Sequence, residues 1–124
     1  PKIHADPLSL VRRWPIAQAA LARPLETTEG CAARFEVFCG ALELANGYWE
    51  LTDAQEQAAR FECDNRFRIA HGQETVSPDE LLLEALSHGL PDCAGVSVGL
   101  DRVLMLIAGA HHIDEVLAFP WSRS

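Results

Sequence analysis

From Arg34 to Leu51 the chain carries a pattern that a helix cannot sustain. Phe35-Glu36-Val37-Phe38-Cys39 alternates aromatic or β-branched residues with others, Gly40-Ala41 breaks the run, and a second run from Leu42 to Leu51 contains Asn46-Gly47. Glutamates recur every seven residues, at Glu36, Glu43 and Glu50, which on a helix would form a charged stripe. Glycine inside a helix costs about 1 kcal/mol relative to alanine, whereas aromatic and β-branched residues suit a pleated surface. The stretch therefore reads as two strands, over residues 35–39 and 42–51, joined at Gly40-Ala41.

That assignment has a chemical consequence. Acids gathered on one sheet repel unless a cation or a basic ligand neutralises them. On a regular strand Asn46, Tyr48 and Glu50 share a face, while Glu43 is out of step by one and points away. A bulge between Glu43 and Asn46 would bring it back. Asn46-Gly47 reads equally well as a hairpin turn, so local propensity leaves the path of this strand open.

The other segments fill in around the strand pair. Pro1, Pro7, Pro15 and Pro24 interrupt any helix in the first thirty residues, which read as loop and edge with a short helical turn over 16–22. Thr52 with Gln55, or Asp53 with Glu56, has capping-box spacing and starts a helix that closes near His71-Gly72. Ser77 as N-cap, Pro78 at the first helical position and Glu80 predict a second helix, closed by His88-Gly89. A strand over 95–99 then turns directly into a helix beginning near Leu100 or Asp101, followed by a short helix over 113–116. The order predicts an α+β fold with an antiparallel sheet flanked by helices.

The strand-to-helix junction is the second chemical feature. Gly95-Val96-Ser97-Val98-Gly99-Leu100-Asp101-Arg102 hands an arginine to the first turn of a helix. Glycine allows a base or phosphate to approach the backbone, the helix start favours anions, and a guanidinium can stack on adenine or grip a phosphate. By itself such a junction is more often structural; beside a glutamate cluster it suits a nucleotide.

Composition excludes several classes. A chain of 124 residues can form one compact domain, burying about 65–70% of its extended surface. Its apolar runs fall well short of the roughly 20 residues needed to span a bilayer, and Pro1-Lys2-Ile3-His4 lacks a signal pattern. A net charge of -8 argues against a broad basic surface for nucleic acid. Cys31, Cys39, Cys63 and Cys93 form no C-x-x-C pair, which fits reduced thiols and a cytoplasmic setting. His111-His112 reads as an exposed helix end rather than half a metal site. Phe35 and Trp49 read as core residues, and Cys39 and Cys93 as packed thiols without a neighbouring base.

Phe35-Glu36-Val37-Phe38, the run Glu43-Leu44-Ala45-Asn46-Gly47-Tyr48-Trp49-Glu50-Leu51-Thr52-Asp53 and the Gly99-Leu100-Asp101-Arg102 segment together resemble class II lysyl-tRNA synthetases. The last of these looks like motif 3 of that class. The likeness runs from about Pro15 to the C-terminus, and residues 1–14 carry no interpretable part of it. Pro91-Asp92-Cys93-Ala94-Gly95 and the stretch from Ala45 to Asp53 are similar to the protein-modifying branch, whose members attach beta-lysine to elongation factor P. Ser97 stands where the tRNA enzymes typically have glycine and the protein-modifying branch alanine.

The resemblance implies part of the class II catalytic fold, with residues 1–124 as its C-terminal portion. It implies that Glu36 and Glu43 hold magnesium on ATP, that Asn46, Tyr48 and Glu50 surround the amino-acid substrate with Ser97 shaping the same pocket, and that Gly99 and Arg102 meet ATP, Arg102 being the catalytic arginine at the adenine. Carboxylates suit both a substrate ammonium and a phosphate-bound magnesium. The resemblance also favours a continuing, bulged strand through Asn46-Gly47, with Glu36, Glu43, Asn46 and Glu50 converging on one concavity and Arg102 at its rim.

Motif 1 and motif 2, with its phosphate-contacting arginine, are absent, so the isolated stretch is expected to be inactive. A homodimer rests largely on motif 1 and is implied at most for the full-length protein. The resulting expectation is ATP-dependent activation of lysine or beta-lysine as an aminoacyl-adenylate, followed by transfer to a lysine of elongation factor P. The alternatives are a piece of a lysyl-tRNA synthetase, with tRNA as acceptor, and a non-catalytic synthetase-like binding module.

Overall fold

The structure, a computed structural model, describes residues 8–19 and 21–123. Expectations for residues 1–7, and for Ala20 within the turn over 16–22, fall outside them. Four strands form one antiparallel sheet in chain order: β1 (Leu8–Pro15), β2 (Cys31–Cys39), β3 (Leu42–Trp49) and β4 (Ala94–Val98). Helices α1 (Ala54–Ala70) and α2 (Glu80–His88) fill the long connection from β3 to β4, and α3 (Leu100–Ala108) follows β4 after a single residue. This is the α+β arrangement expected.

The β2–β3 hairpin turns on Gly40-Ala41, with Gly40 at φ 57°, a left-handed conformation that glycine adopts without steric cost. The turn is therefore already made before Asn46-Gly47, which continue β3. Asn46 pairs with Glu36 and Ser97, and Gly47 pairs with Phe35 and Val96. A Cβ at Gly47 would lie 2.5 Å from ring carbons of Phe35 and 2.9 Å from the Gly95 carbonyl oxygen. Glycine is required here by close packing within a central strand.

The first segment is more ordered than loop and edge. Residues 8–15 form a full edge strand, with Pro15 at its end, where the missing N–H disturbs the ladder least. The helical turn shrinks to a 3₁₀ turn, Ile16–Gln18.

Asp53, not Thr52, caps α1, its carboxylate accepting from Gln55 N at 2.8 Å and Glu56 N at 3.0 Å. The start of α2 corrects the sequence reading: Ser77 and Pro78 precede the helix, and Asp79 is the N-cap, accepting from Leu82 N at 2.9 Å. Asn65 of α1 explains the displacement. Its amide oxygen accepts from Val76 N at 2.8 Å and its nitrogen donates to Val76 O at 2.7 Å, which fastens the incoming chain to α1 just before Ser77. Gly99, predicted as the last strand residue, instead caps α3.

Beyond α3, Ile113–Glu115 is a 3₁₀ turn rather than a longer helix. His112 caps it, and backbone N–H groups of His112 at 2.7 Å and His111 at 2.9 Å donate to the Glu115 carboxylate, holding its pKa below the usual carboxylate value. The innermost core is made of small residues, Ala19, Ala22 and Ala32, with Tyr48 packed against it. Phe35 is half-buried, as its packing against Gly47 requires. Trp49 is not a core residue: it is 44% exposed, donates to Asp92 Oδ1 at 2.6 Å and carries the Arg23 guanidinium 4.4 Å from its ring centre. Among the described residues no helix is long and apolar enough to cross a membrane.

Candidate functional site

A bulge in β3 organises the site. Val37 pairs with Ala45 and Phe38 with Glu43, so Leu44 is an extra residue without a partner on β2. Alternation is shifted by one at this point, and Glu43 returns to the face that carries Asn46 and Tyr48. The family resemblance favoured a bulged strand over a turn at Asn46-Gly47, and the bulge falls inside the window between Glu43 and Asn46.

The bulge does a second thing that periodicity does not reveal. It presents two successive carbonyls to the start of α3. Gly99 N donates to Leu44 O at 2.9 Å, and Arg102 Nη1 donates to Glu43 O at 2.8 Å. The Arg102 guanidinium also stands 4.0 Å from the Glu43 carboxylate. The glycine-to-arginine junction is thus docked on the bulge, and Arg102 and Glu43 are neighbours despite lying on separate elements.

On the same face, Glu36, Asn46 and Ser97 form a row across β2, β3 and β4, because Asn46 is the register partner of both others. Glu36 is only 5% exposed and is ion-paired with Arg34, which restores neutrality to a buried carboxylate. Asn46 Nδ2 donates to Tyr48 OH at 3.1 Å, while Asn46 Oδ1 is buried with no partner. An unpartnered buried acceptor costs about 1–3 kcal/mol, and a ligand donor would relieve that cost.

Glu50 lies just past β3. Its backbone is held from both sides, by an Arg23 Nε bond to Glu50 O at 3.1 Å and a Glu50 N bond to Cys93 O at 3.0 Å. Its side chain crosses to β4: a Cβ at Gly95 would lie 2.9 Å from Glu50 Oε1. The lack of a side chain at Gly95 leaves room for that carboxylate. Sequence reasoning missed three contributors, namely Arg34, Gly95 and the Arg23–Trp49–Asp92 cluster. The first is two residues from Glu36 on the same strand face and was legible as a charge partner; the others depend on contacts across more than twenty residues.

The eight predicted residues, Glu36, Glu43, Asn46, Tyr48, Glu50, Ser97, Gly99 and Arg102, thus fall on one sheet face and at the junction docked against it. The face is open. Clefts of about 480, 320 and 300 Å³ are lined by other residues, and Arg34 is the member of this neighbourhood that reaches the first two. No group of three or more His, Cys, Asp and Glu with metal-binding geometry occurs among the described residues. Glu36 and Glu43 are a pair, diagonal neighbours across β2 and β3. A magnesium that already carries phosphate and water needs only one or two carboxylates, and the Arg34 contact on Glu36 engages one oxygen, so the donor set fits.

Comparison with known proteins gives a consistent result. Residues 2–123 match the family described as tRNA synthetases class II (D, K and N). The chain is 47% identical over its whole length to elongation factor P--(R)-beta-lysine ligase of Hamiltonella defensa, and 48% identical to that of Klebsiella pneumoniae. Identity to the Vibrio atlanticus ligase is 49% over 99% of the chain. In each case the chain spans 38% of the relative's length.

Proposed function

This chain belongs to the class II tRNA synthetases of the D, K and N group, and from that premise we propose that it forms part of an ATP-dependent ligase that activates a lysine-type amino acid and transfers it to a lysine of elongation factor P. The observation that carries the reading is the buried, unpartnered Asn46 Oδ1 on the same face as the Glu50 carboxylate. Both are acceptors, and a lysine-type substrate offers two ammonium groups as donors.

In this reading Tyr48 fixes the Asn46 amide, and Asn46 and Glu50 orient the substrate. Ser97, opposite Asn46 on β4, shapes the floor on which an α- or β-amino group rests. Gly99 and Arg102 meet ATP, Arg102 flanking the adenine from a position already fixed by Glu43 O. Glu36 and Glu43 would hold the magnesium, which would supply neutralisation of phosphate charge. The substrate carboxylate attacks the α-phosphorus and pyrophosphate leaves, giving the aminoacyl-adenylate. The acceptor lysine amine then attacks its carbonyl carbon, loses a proton and releases AMP. Positioning and charge neutralisation supply most of the rate in such chemistry. The work belongs in the cytoplasm, where translation factors act.

The test is ATP–pyrophosphate exchange by the protein that carries this chain, comparing (R)-beta-lysine with α-lysine. Exchange preferring beta-lysine, reduced about 100-fold or more in Glu50→Ala and in Arg102→Ala, is the expected result. Preference for α-lysine with charging of tRNA moves the assignment to a lysyl-tRNA synthetase. No exchange with either substrate leaves the non-catalytic binding module.

A further inference from the structure

On edge strand β1 the sheet has a second irregularity, where Arg12 pairs with Phe35 and Trp14 with Ala32, so Arg13 stands against two residues of β2 at φ 62°. Arg12 and Arg13 line an open cleft there. The end of β3 is the opposite case. Its ladder with β4 stops at the pair Trp49 and Ala94, yet the next residue, Glu50, is held on both sides. Arg23 N donates to Trp49 O at 2.9 Å and Leu51 N to Leu21 O at 2.8 Å on one side, and Glu50 N donates to Cys93 O at 3.0 Å on the other.

Three side chains complete the hold. Arg23 Nε donates to Glu50 O at 3.1 Å, its guanidinium lies 4.4 Å from the centre of the Trp49 ring, and its Nη2 stands 2.8 Å from Asp92 Oδ1. Trp49 Nε1 donates to the same oxygen at 2.6 Å. One carboxylate oxygen therefore fastens both the cation and the indole, and Asp92 directly precedes Cys93, whose carbonyl takes Glu50 N. Alternation turns Trp49 away from the face that carries Tyr48, so this clamp backs the end of the strand and does not line the substrate face. It acts on the site through the backbone of Glu50.

That backbone has little room to be misplaced. Glu50 Oε1 lies where a Cβ at Gly95 would be 2.9 Å away, and Gly95 sits two residues beyond Cys93. A change in the angle between Glu50 and the 92–95 segment moves the carboxylate out of the gap that the missing side chain leaves. The Asp92 side chain is 66% exposed, so solvent screens its charge and its bonds contribute little to stability; what they set is geometry. We propose that Asp92 is a positioning residue that, through Arg23 and Trp49, holds the Glu50 carboxylate where the substrate ammonium is recognised. The inference rests on the reading of Glu50 as a substrate-binding residue and adds the device that aims it.

The test uses the protein that carries this chain, with pyrophosphate exchange followed as amino acid and ATP are varied separately, for Asp92→Ala, Asp92→Asn and Glu50→Ala. Asp92→Ala is expected to raise KM for the amino acid about tenfold, while KM for ATP stays within about twofold and the urea unfolding midpoint barely moves. Asparagine keeps an oxygen able to accept both bonds, so Asp92→Asn should stay within about threefold of wild type. A purely structural role predicts parallel losses for both substrates that follow the unfolding midpoint, and that result overturns the inference. So does a wild-type amino-acid KM in Asp92→Ala when exchange depends on Glu50. Exchange that survives Glu50→Ala unchanged, or none at all in the wild type, overturns the substrate reading of Glu50 first and the inference with it.

Discussion

Two interruptions of the same sheet have opposite outcomes. At Leu44 the displaced backbone is used up: its own carbonyl takes Gly99 N, the preceding carbonyl takes Arg102, and Leu44 itself is buried. At Arg13 the displaced backbone is strained, and the two arginines beside it remain exposed to solvent. A bulge that docks a neighbouring element fixes geometry, whereas one that leaves its side chains at a cleft advertises chemistry. The first holds Glu43 and Arg102 in a fixed relation, and the second leaves two cations at the rim of an open cleft.

The most severe way to break this contrast is to delete Leu44. Glu43 should rotate to the other face and Gly99 and Arg102 should lose their carbonyl partners, so exchange should fall about 1000-fold or more even if the sheet still forms. Near-normal exchange in a folded deletion variant would remove the bulge from the account. Gly47→Ala is next. Its Cβ meets the Phe35 ring and the Gly95 backbone, so urea unfolding should report a loss of about 1–3 kcal/mol, partly restored by Phe35→Leu. Arg13→Gly should have the smallest effect and the opposite sign. Relief of a left-handed conformation, worth about 1–2 kcal/mol, outweighs the added freedom of glycine in the unfolded chain, so Tm should rise slightly.

Much of the site could be read from the sequence because it depends on alternation. A two-residue period puts Asn46, Tyr48 and Glu50 on one face, whereas the bulge that returns Glu43 to that face was open on local propensity and was implied by the family resemblance. The strand through Asn46-Gly47 was less legible, because that dipeptide is also a strong turn signal and the ambiguity goes only with tertiary pairing to β2 and β4 and the Phe35 ring packed at Gly47. Two boundaries moved for similar reasons. Asp79 replaced Ser77 as a cap through an Asn65 contact from another helix, and Trp49 was drawn to the surface by Arg23 and Asp92. Propensity is local, and these contacts are not.

The Arg102–Glu43 bond joins residues 59 positions apart, whereas the β2–β3 hairpin closes through two. In folding time these are different events: hairpins form in about 1–10 µs, while a long closure carries an entropy cost that grows with the logarithm of its length. Glu36, Asn46 and Tyr48 therefore take their relative places as soon as the hairpin zips. The arginine reaches them only when α1 and α2 have folded in between, so the nascent chain holds Glu36, Asn46 and Tyr48 in register before it can complete the face that Arg102 closes.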